Sequence, residues 1–189
     1  FPARGEFSKT LRQRVEAYFD ENEISKNANW NMYLKTIVAF GLWIGSYVTL
    51  VFFTDSLWLA ILAGFVFSQS IVLIGFNVMH DGNHGSYSKN KKVNWLMGAT
   101  IDLIGGNYYL WKQKHNILHH TYTNIDELDD DLHSGGLLRL SPEQKWRPWH
   151  RFQHIYALPL YSLLTLTWTA FNDFQKIFTG RIGEYKLRR

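Results

Sequence analysis

Two long uncharged stretches dominate the hydrophobic pattern, residues 36–53 (TIVAFGLWIGSYVTLVFF) and 57–79 (LWLAILAGFVFSQSIVLIGFNVM), with only Thr54, Asp55 and Ser56 between them. At about 1.5 Å of rise per residue, each is long enough to cross a hydrocarbon core as a helix. Uncharged runs of this length call for lipid around them rather than a soluble core, so the pattern predicts a transmembrane hairpin. Ahead of it, residues 7–24 mix charges with Leu11, Val15, Tyr18, Phe19 and Ile24 at loose helical spacing, as expected of an amphipathic helix on a membrane surface. Behind it comes a polar loop (Gly85-Ser-Tyr-Ser-Lys-Asn-Lys-Lys), and then an apolar segment at residues 96–110, just past Trp95. That segment is short, broken by Gly98, Gly105 and Gly106, and carries Asp102 at its centre, which predicts an interfacial or re-entrant helix. Residues 155–171 are apolar too, but contain Pro159, Thr165, Thr167 and Thr169. A crossing there would put Lys176, Arg181, Lys186, Arg188 and Arg189 outside, so an interfacial helix is expected again.

Composition changes this picture in three ways. A length of 189 residues allows one domain, and the mean hydropathy of −0.21 conceals how sharply apolar and charged sequence are segregated. All 20 Lys and Arg lie outside residues 36–79, six before the hairpin and nine between Lys89 and Arg151, and the turn at 54–56 has none. By the positive-inside rule, the N-terminal segment and the region after the hairpin face the cytoplasm in a multi-pass membrane protein. Trp30, Trp58, Trp95 and Trp111 lie near predicted boundaries, where an amphipathic ring is favoured. The net charge of +4 fits attraction to anionic lipid headgroups, and no basic stripe interleaved with aromatics argues for nucleic acid. The chain has no cysteine, which excludes disulfides, thiolate metal sites, iron–sulfur clusters and a cysteine nucleophile. The residues before the hairpin do not read as a signal peptide, so the first apolar segment is expected to direct insertion.

The candidate chemistry is histidine. Five of the eight fall within 41 residues, as His80-Asp-Gly-Asn-His84 and His115-Asn-Ile-Leu-His119-His120, and the first pair sits where the second apolar run ends. On a helix, residues four apart share a face, so His80 with His84 and His115 with His119 can each present two imidazoles in one direction. Imidazole suits iron, zinc, copper and nickel alike, so ligand type does not name the ion. A metal beside a membrane suits oxidation of an acyl chain, because an unactivated C–H bond offers no handle for acid–base catalysis. His133, His150 and His154 are expected to be structural, the last two on a lipid-facing surface suggested by the neighbouring Arg147 and Arg151.

The sequences HDGNH and HNILHH, preceded by a hydrophobic hairpin and followed by Thr121-Tyr-Thr-Asn124 and the acidic Asp129-Asp-Asp131, resemble the membrane fatty acid desaturases, and most of all their front-end and linoleoyl-CoA-like branch. The resemblance covers essentially the whole chain. It implies an all-α integral membrane fold, a transmembrane hairpin with cytoplasmic or interfacial helices carrying histidine boxes. It also implies a non-haem diiron centre and O2-dependent insertion of a double bond into a CoA- or lipid-linked acyl chain. On this resemblance His80, His84, His115, His119 and His120 are iron ligands, while Asp81 and Asn116 orient imidazoles or hold the local backbone. The acidic residues Asp126, Glu127 and Asp129 to Asp131 are either a solvated face or helpers of the same kind.

The family carries a third box, often QxxHH, after further membrane helices, and none occurs before Arg189. Five ligands are too few for two irons. The opening on Phe1 and the ending on Leu-Arg-Arg suit a fragment. The haem-binding His-Pro-Gly-Gly of a fused cytochrome b5 domain is also absent, so electrons are expected from ferredoxin or free cytochrome b5. A diiron hydroxylase or ketolase, a non-catalytic membrane metal-binding protein, and a purely structural membrane module remain as alternatives. Product analysis separates the first, and bound iron the last.

Overall fold

A computed structural model describes residues 5–187, apart from the side chains of Leu164 and Thr165; Phe1, Arg188, Arg189 and the Thr165 side chain therefore lie outside the described residues. The chain is mostly helical and gathers into two compact units, one up to Trp95 and one from Leu96 on.

The first unit is built on two helices that are long and apolar enough to cross a membrane, Trp30–Phe53 and Leu57–His84. Only 11% and 17% of their most apolar windows are buried within the described residues. The first starts six residues before the expected boundary. Asn29 caps it, its side chain accepting from the Met32 amide at 3.3 Å, and the polar turn around Lys35 joins the apolar run. Ser56 caps the second by accepting from Leu59 N at 3.2 Å. Small residues let the helices approach closely: Ala39 and Ser46 on one, following buried Met32 at seven-residue intervals, and Ala63 and Ser70 on the other are all buried. Ile74 and Val78 complete the seam, both fully buried. Trp43 stacks on Phe67 with ring centres 6.3 Å apart. The helix Glu6–Glu21 buries none of its residues and exposes Phe7, Leu11, Val15 and Tyr18 along one side.

The second unit opens at the end of the helix Lys91–Gly98, which tightens into a 3-10 turn at Ala99–Ile104. The apolar segment at 96–110 is thus not one helix. It breaks at Gly105, which is left-handed (φ 97°), and at Gly106, where a Cβ would come within 2.6 Å of Ile101. A new helical run begins at Tyr108 and ends at Tyr122. The helix expected at 155–171 is longer than its apolar pattern and covers residues 153–179, with Pro159 inside it. A short antiparallel hairpin, β1 (Arg181–Ile182) and β2 (Tyr185–Lys186), is a small addition to the all-α expectation, which the mostly helical chain otherwise meets. Two-residue strands are too short to show a period, and left-handed Gly180 and Gly183 allow the reversal. Ile182 is buried, and Tyr185 OH donates to Gln113 Oε1 at 3.2 Å, tying the hairpin to the helix of the second histidine cluster.

Candidate metal centre

Within the first unit, His80 and His84 occupy the last turn of the helix Leu57–His84. The run widens to i→i+5 hydrogen bonding at Ile74–Met79 and returns to α geometry for His80–His84. At four-residue spacing the two imidazoles share a face, with ring centres 4.4 Å apart. The turn stops at Gly85 (φ 73°), a left-handed C-cap that lets Ser86 N and Tyr87 N both donate to Asp81 O, at 2.9 and 3.2 Å. Asp81 therefore acts on the backbone. Its carboxylate is 3.6 Å from His80 Nδ1, too far for a hydrogen bond.

The loop after this pair is held by buried side chains. Asn94 accepts from Ser88 N at 2.7 Å and donates to Gly85 O and Ser88 O at 3.1 and 2.7 Å. Tyr87 is buried, shares a 2.8 Å hydrogen bond with Thr36 Oγ1, and meets the Tyr33 ring edge-on. The first histidine pair is thereby anchored to the start of the first long helix.

In the second unit the remaining three histidines lie on the helical run of residues 108–122. Its N-terminus is capped twice: Asn107 Oδ1 accepts from Leu110 N at 3.0 Å, and Asp102 Oδ1 from Tyr108 N at 2.6 Å. From Lys112 to His119 the helix is a π-helix. This departs from the α spacing expected at the sequence level, and it matters for the chemistry. When bonds reach i+5, a residue faces between positions i+4 and i+5, so His115 meets both His119 and His120. The His115 and His119 rings are stacked at 5.3 Å, and His120 Nε2 is 3.3 Å from His115 Nε2. Trp111, expected at a membrane boundary, stacks on the other face of this cluster, 4.3 Å from the His115 ring centre. Asn116 is half-buried on the same helix.

The chain then doubles back through left-handed Asn124 (φ 62°) and Glu127 (φ 67°) and brings Asp129 beneath His119. His119 Nδ1 is 3.1 Å from both oxygens of Asp129 and 3.2 Å from Asp131 Oδ2. Asp129 is buried, and its oxygens also accept from Asn124 N (2.9 Å) and Asp131 N (3.1 Å). Burial pushes the Asp129 carboxyl up, but these donors and His119 outweigh it and hold it below the usual 3.8. Lys114, beside the histidines, binds Asp131 at 2.8 Å and Asp130 at 3.4 Å, and Lys176 binds Asp130 at 2.6 Å. Burial acts to push the Asp130 carboxyl up, yet the two ammonium groups keep it below 3.8. Burial opposes the charge on Lys114 in the same way, but Asp130 and Asp131 raise it above 10.5.

Sequence reasoning singled out the five histidines, offered Asp129 and Asp131 as either a solvated face or helpers, and did not place Lys114 or Trp111 beside the histidines. His150 is buried rather than lipid-facing. Its Nδ1 accepts from Arg147 N at 3.1 Å, which leaves Nε2 to donate to Gly136 O at 3.0 Å, so it is a neutral structural histidine. His133 and His154 are exposed.

Comparison with known proteins decides the family. The model of the fatty acid desaturase family matches residues 56–189, which hold both histidine clusters. The chain belongs to the fatty acid desaturase family. It is 42% identical to the sn-1 linoleoyl-lipid 6-desaturase of Arthrospira platensis over 96% of the chain and 49% of that protein. To the enzyme of the same name from Synechocystis sp. it is 36% identical, over 99% of the chain and 52% of the relative. To the acyl-lipid (8-3)-desaturase of Physcomitrium patens it is 35% identical, over 97% and 39%. The chain spans about half the length of these two linoleoyl-lipid desaturases. No solved structure matches it.

Proposed function

We propose that this desaturase chain forms the first two histidine boxes of a membrane enzyme that inserts a double bond into a lipid-linked fatty acyl chain. The observation that carries the reading is the convergence of His115, His119 and His120 on one widened turn, with a carboxylate under His119, inside the segment that matches the family. The donor set fits iron. Two imidazole nitrogens each about 2.0–2.1 Å from one ion, at an octahedral to tetrahedral angle, sit about 3 Å apart. The His115–His120 separation of 3.3 Å is of that size. The chain offers no thiolate that would favour a softer site.

On this reading His80, His84, His115, His119 and His120 hold iron, together with ligands from the rest of the polypeptide. Asp81 and Asn116 keep the backbone of their boxes in place. The irons supply the oxidising chemistry that removes two hydrogens from neighbouring methylenes, with O2 and two electrons and two protons ending as two waters. The protein's own task is to present imidazoles in fixed directions from rigid helices and to position the acyl chain. The helices Trp30–Phe53 and Leu57–His84, long, apolar and largely exposed, support a hairpin in the bilayer with the boxes on its cytoplasmic side, where lysines and arginines gather. Ferredoxin or cytochrome b5 delivers the electrons. The names of the relatives favour an acyl-lipid over an acyl-CoA substrate.

The test is expression of the full-length chain in a host that supplies the electron donor, with gas chromatography of total fatty acids. New alkene is expected, and His119→Ala should abolish it while the protein still fractionates with membranes. Unchanged fatty acids from the full-length chain would overturn the proposed activity, and alkene from His119→Ala would remove His119 from the ligand set.

A further inference from the structure

The structure assigns Asp129 as the positioning residue that fixes the direction of His119, by holding a proton on Nδ1 and leaving Nε2 as the metal donor. This rests on the reading of His119 as an iron ligand and goes beyond it by adding a residue ten positions away in sequence. Four observations converge. Asp129 is nearly inaccessible, with 1% of its side chain exposed, and both its oxygens face His119 Nδ1 at 3.1 Å. Those oxygens also receive the backbone amides of Asn124 and Asp131, so the carboxylate cannot swing away without breaking two further bonds. A carboxylate so placed is an acceptor only, and the imidazole must donate to it from Nδ1. Asp131 also lies within reach of Nδ1 at 3.2 Å, but it is more exposed and engaged by Lys114 at 2.8 Å.

The surrounding fold is arranged to keep this carboxylate in place. Positive φ at Asn124 and Glu127 aims the turn back at the box helix, and Thr123 Oγ1 donates to His119 O at 2.6 Å, closing the helix end. Lys114 and Lys176 neutralise Asp130 next door, so that the acidic run is not driven apart by its own charge. The physical consequence is twofold. The ring is locked about its side-chain torsions, and Nε2 becomes a stronger donor because the partner carboxylate stabilises positive charge on the ring. Asp81 does not do this for His80, since its carboxylate is at 3.6 Å.

The experiment uses the purified full-length desaturase in detergent. Cobalt(II) affinity and ligand-field absorption are measured for the parent, Asp129→Asn, Glu127→Gln and His119→Ala, with the thermal midpoint of each metal-free protein. Asp129→Asn is expected to weaken cobalt binding about 10–100-fold and alter the absorption bands, with a metal-free midpoint somewhat lowered by the lost acceptor oxygen and charge. Glu127→Gln, at an exposed position, is expected to match the parent. Parental affinity in Asp129→Asn alongside loss in His119→Ala overturns the positioning role and leaves the ligand reading intact. Parental affinity in His119→Ala overturns both. Because the amide variant can disturb the turn, the parent itself is also read by 15N-histidine NMR in its metal-free form, with His119 assigned by difference from His119→Gln. An Nδ1-protonated ring supports the assignment, and an Nε2-protonated ring overturns it.

Discussion

The two histidine clusters reach similar ends by different means. His80 and His84 lie on an ordinary α-helical turn at the end of a long apolar helix, and the loop that follows them is held by a glycine cap, the Asp81 carbonyl and a pinning asparagine. His115, His119 and His120 lie on a π-helical stretch, and what surrounds them is charge: Asp129 and Asp131 against His119, with Lys114 and Lys176 behind. Two histidines four apart need no help from helix geometry to share a face. Three spaced i, i+4, i+5 do, because an α-turn points the third away and the wider turn brings it back. A histidine on a rigid apolar helix is already directed. One on a half-exposed helix in a loop-rich unit needs an outside partner to hold its ring.

The largest effects should be alike in both clusters. In the full-length chain, His84→Ala and His119→Ala are each expected to eliminate alkene formation, measured as product per milligram of membrane protein; survival in one would break the symmetry of the two boxes. Next, the carboxylates should separate them. Asp129→Asn is expected to lower metal affinity about 10–100-fold, whereas Asp81→Asn should leave it roughly unchanged, because the backbone carbonyl that Asp81 uses is retained. Equal losses would refute the contrast drawn between charge and backbone support. Asn94→Ala removes three hydrogen bonds from a buried position, and a stability loss of about 1–3 kcal/mol by thermal or chemical unfolding is expected, with faster iron release.

A smaller effect should appear only in the charged cluster. Asp130 is held below its ordinary value in the folded chain, so it contributes stability that is fully present above the unfolded value near 3.8 and lost as pH falls through the depressed one. Lys114 is raised, so its contribution is present below 10.5 and lost as pH rises through the folded value. Asp130→Asn should therefore flatten the acid limb of the unfolding profile below about pH 4 and leave the neutral plateau slightly lower. A midpoint-against-pH series would show it. The least effect is expected from Glu127→Gln, within about 0.5 kcal/mol of the parent, since that side chain is exposed and only its backbone shape serves the turn.

The five histidines, the two long apolar helices and the family resemblance were all legible in the sequence, because each is a local signal: residue type, spacing, or an uninterrupted apolar run. The starting point of the first long helix was not, since Lys35 and the polar residues beside it hide a helical turn that Asn29 caps. Nor was the break at Gly105 and Gly106 placed, because the apolar pattern runs straight through a backbone reversal. Asp129 was visible only as one member of a charge run. Nothing in composition distinguishes it from Asp130 or Asp126, and its pairing with His119 depends on two non-glycine residues taking left-handed conformations. The sequence by itself determined the chemistry available: imidazoles, no thiols, and apolar helices to carry them. Only the tertiary structure decided which imidazoles converge and which carboxylate meets His119, because helix pitch and loop reversals are set by hydrogen bonds between residues that a linear pattern does not connect.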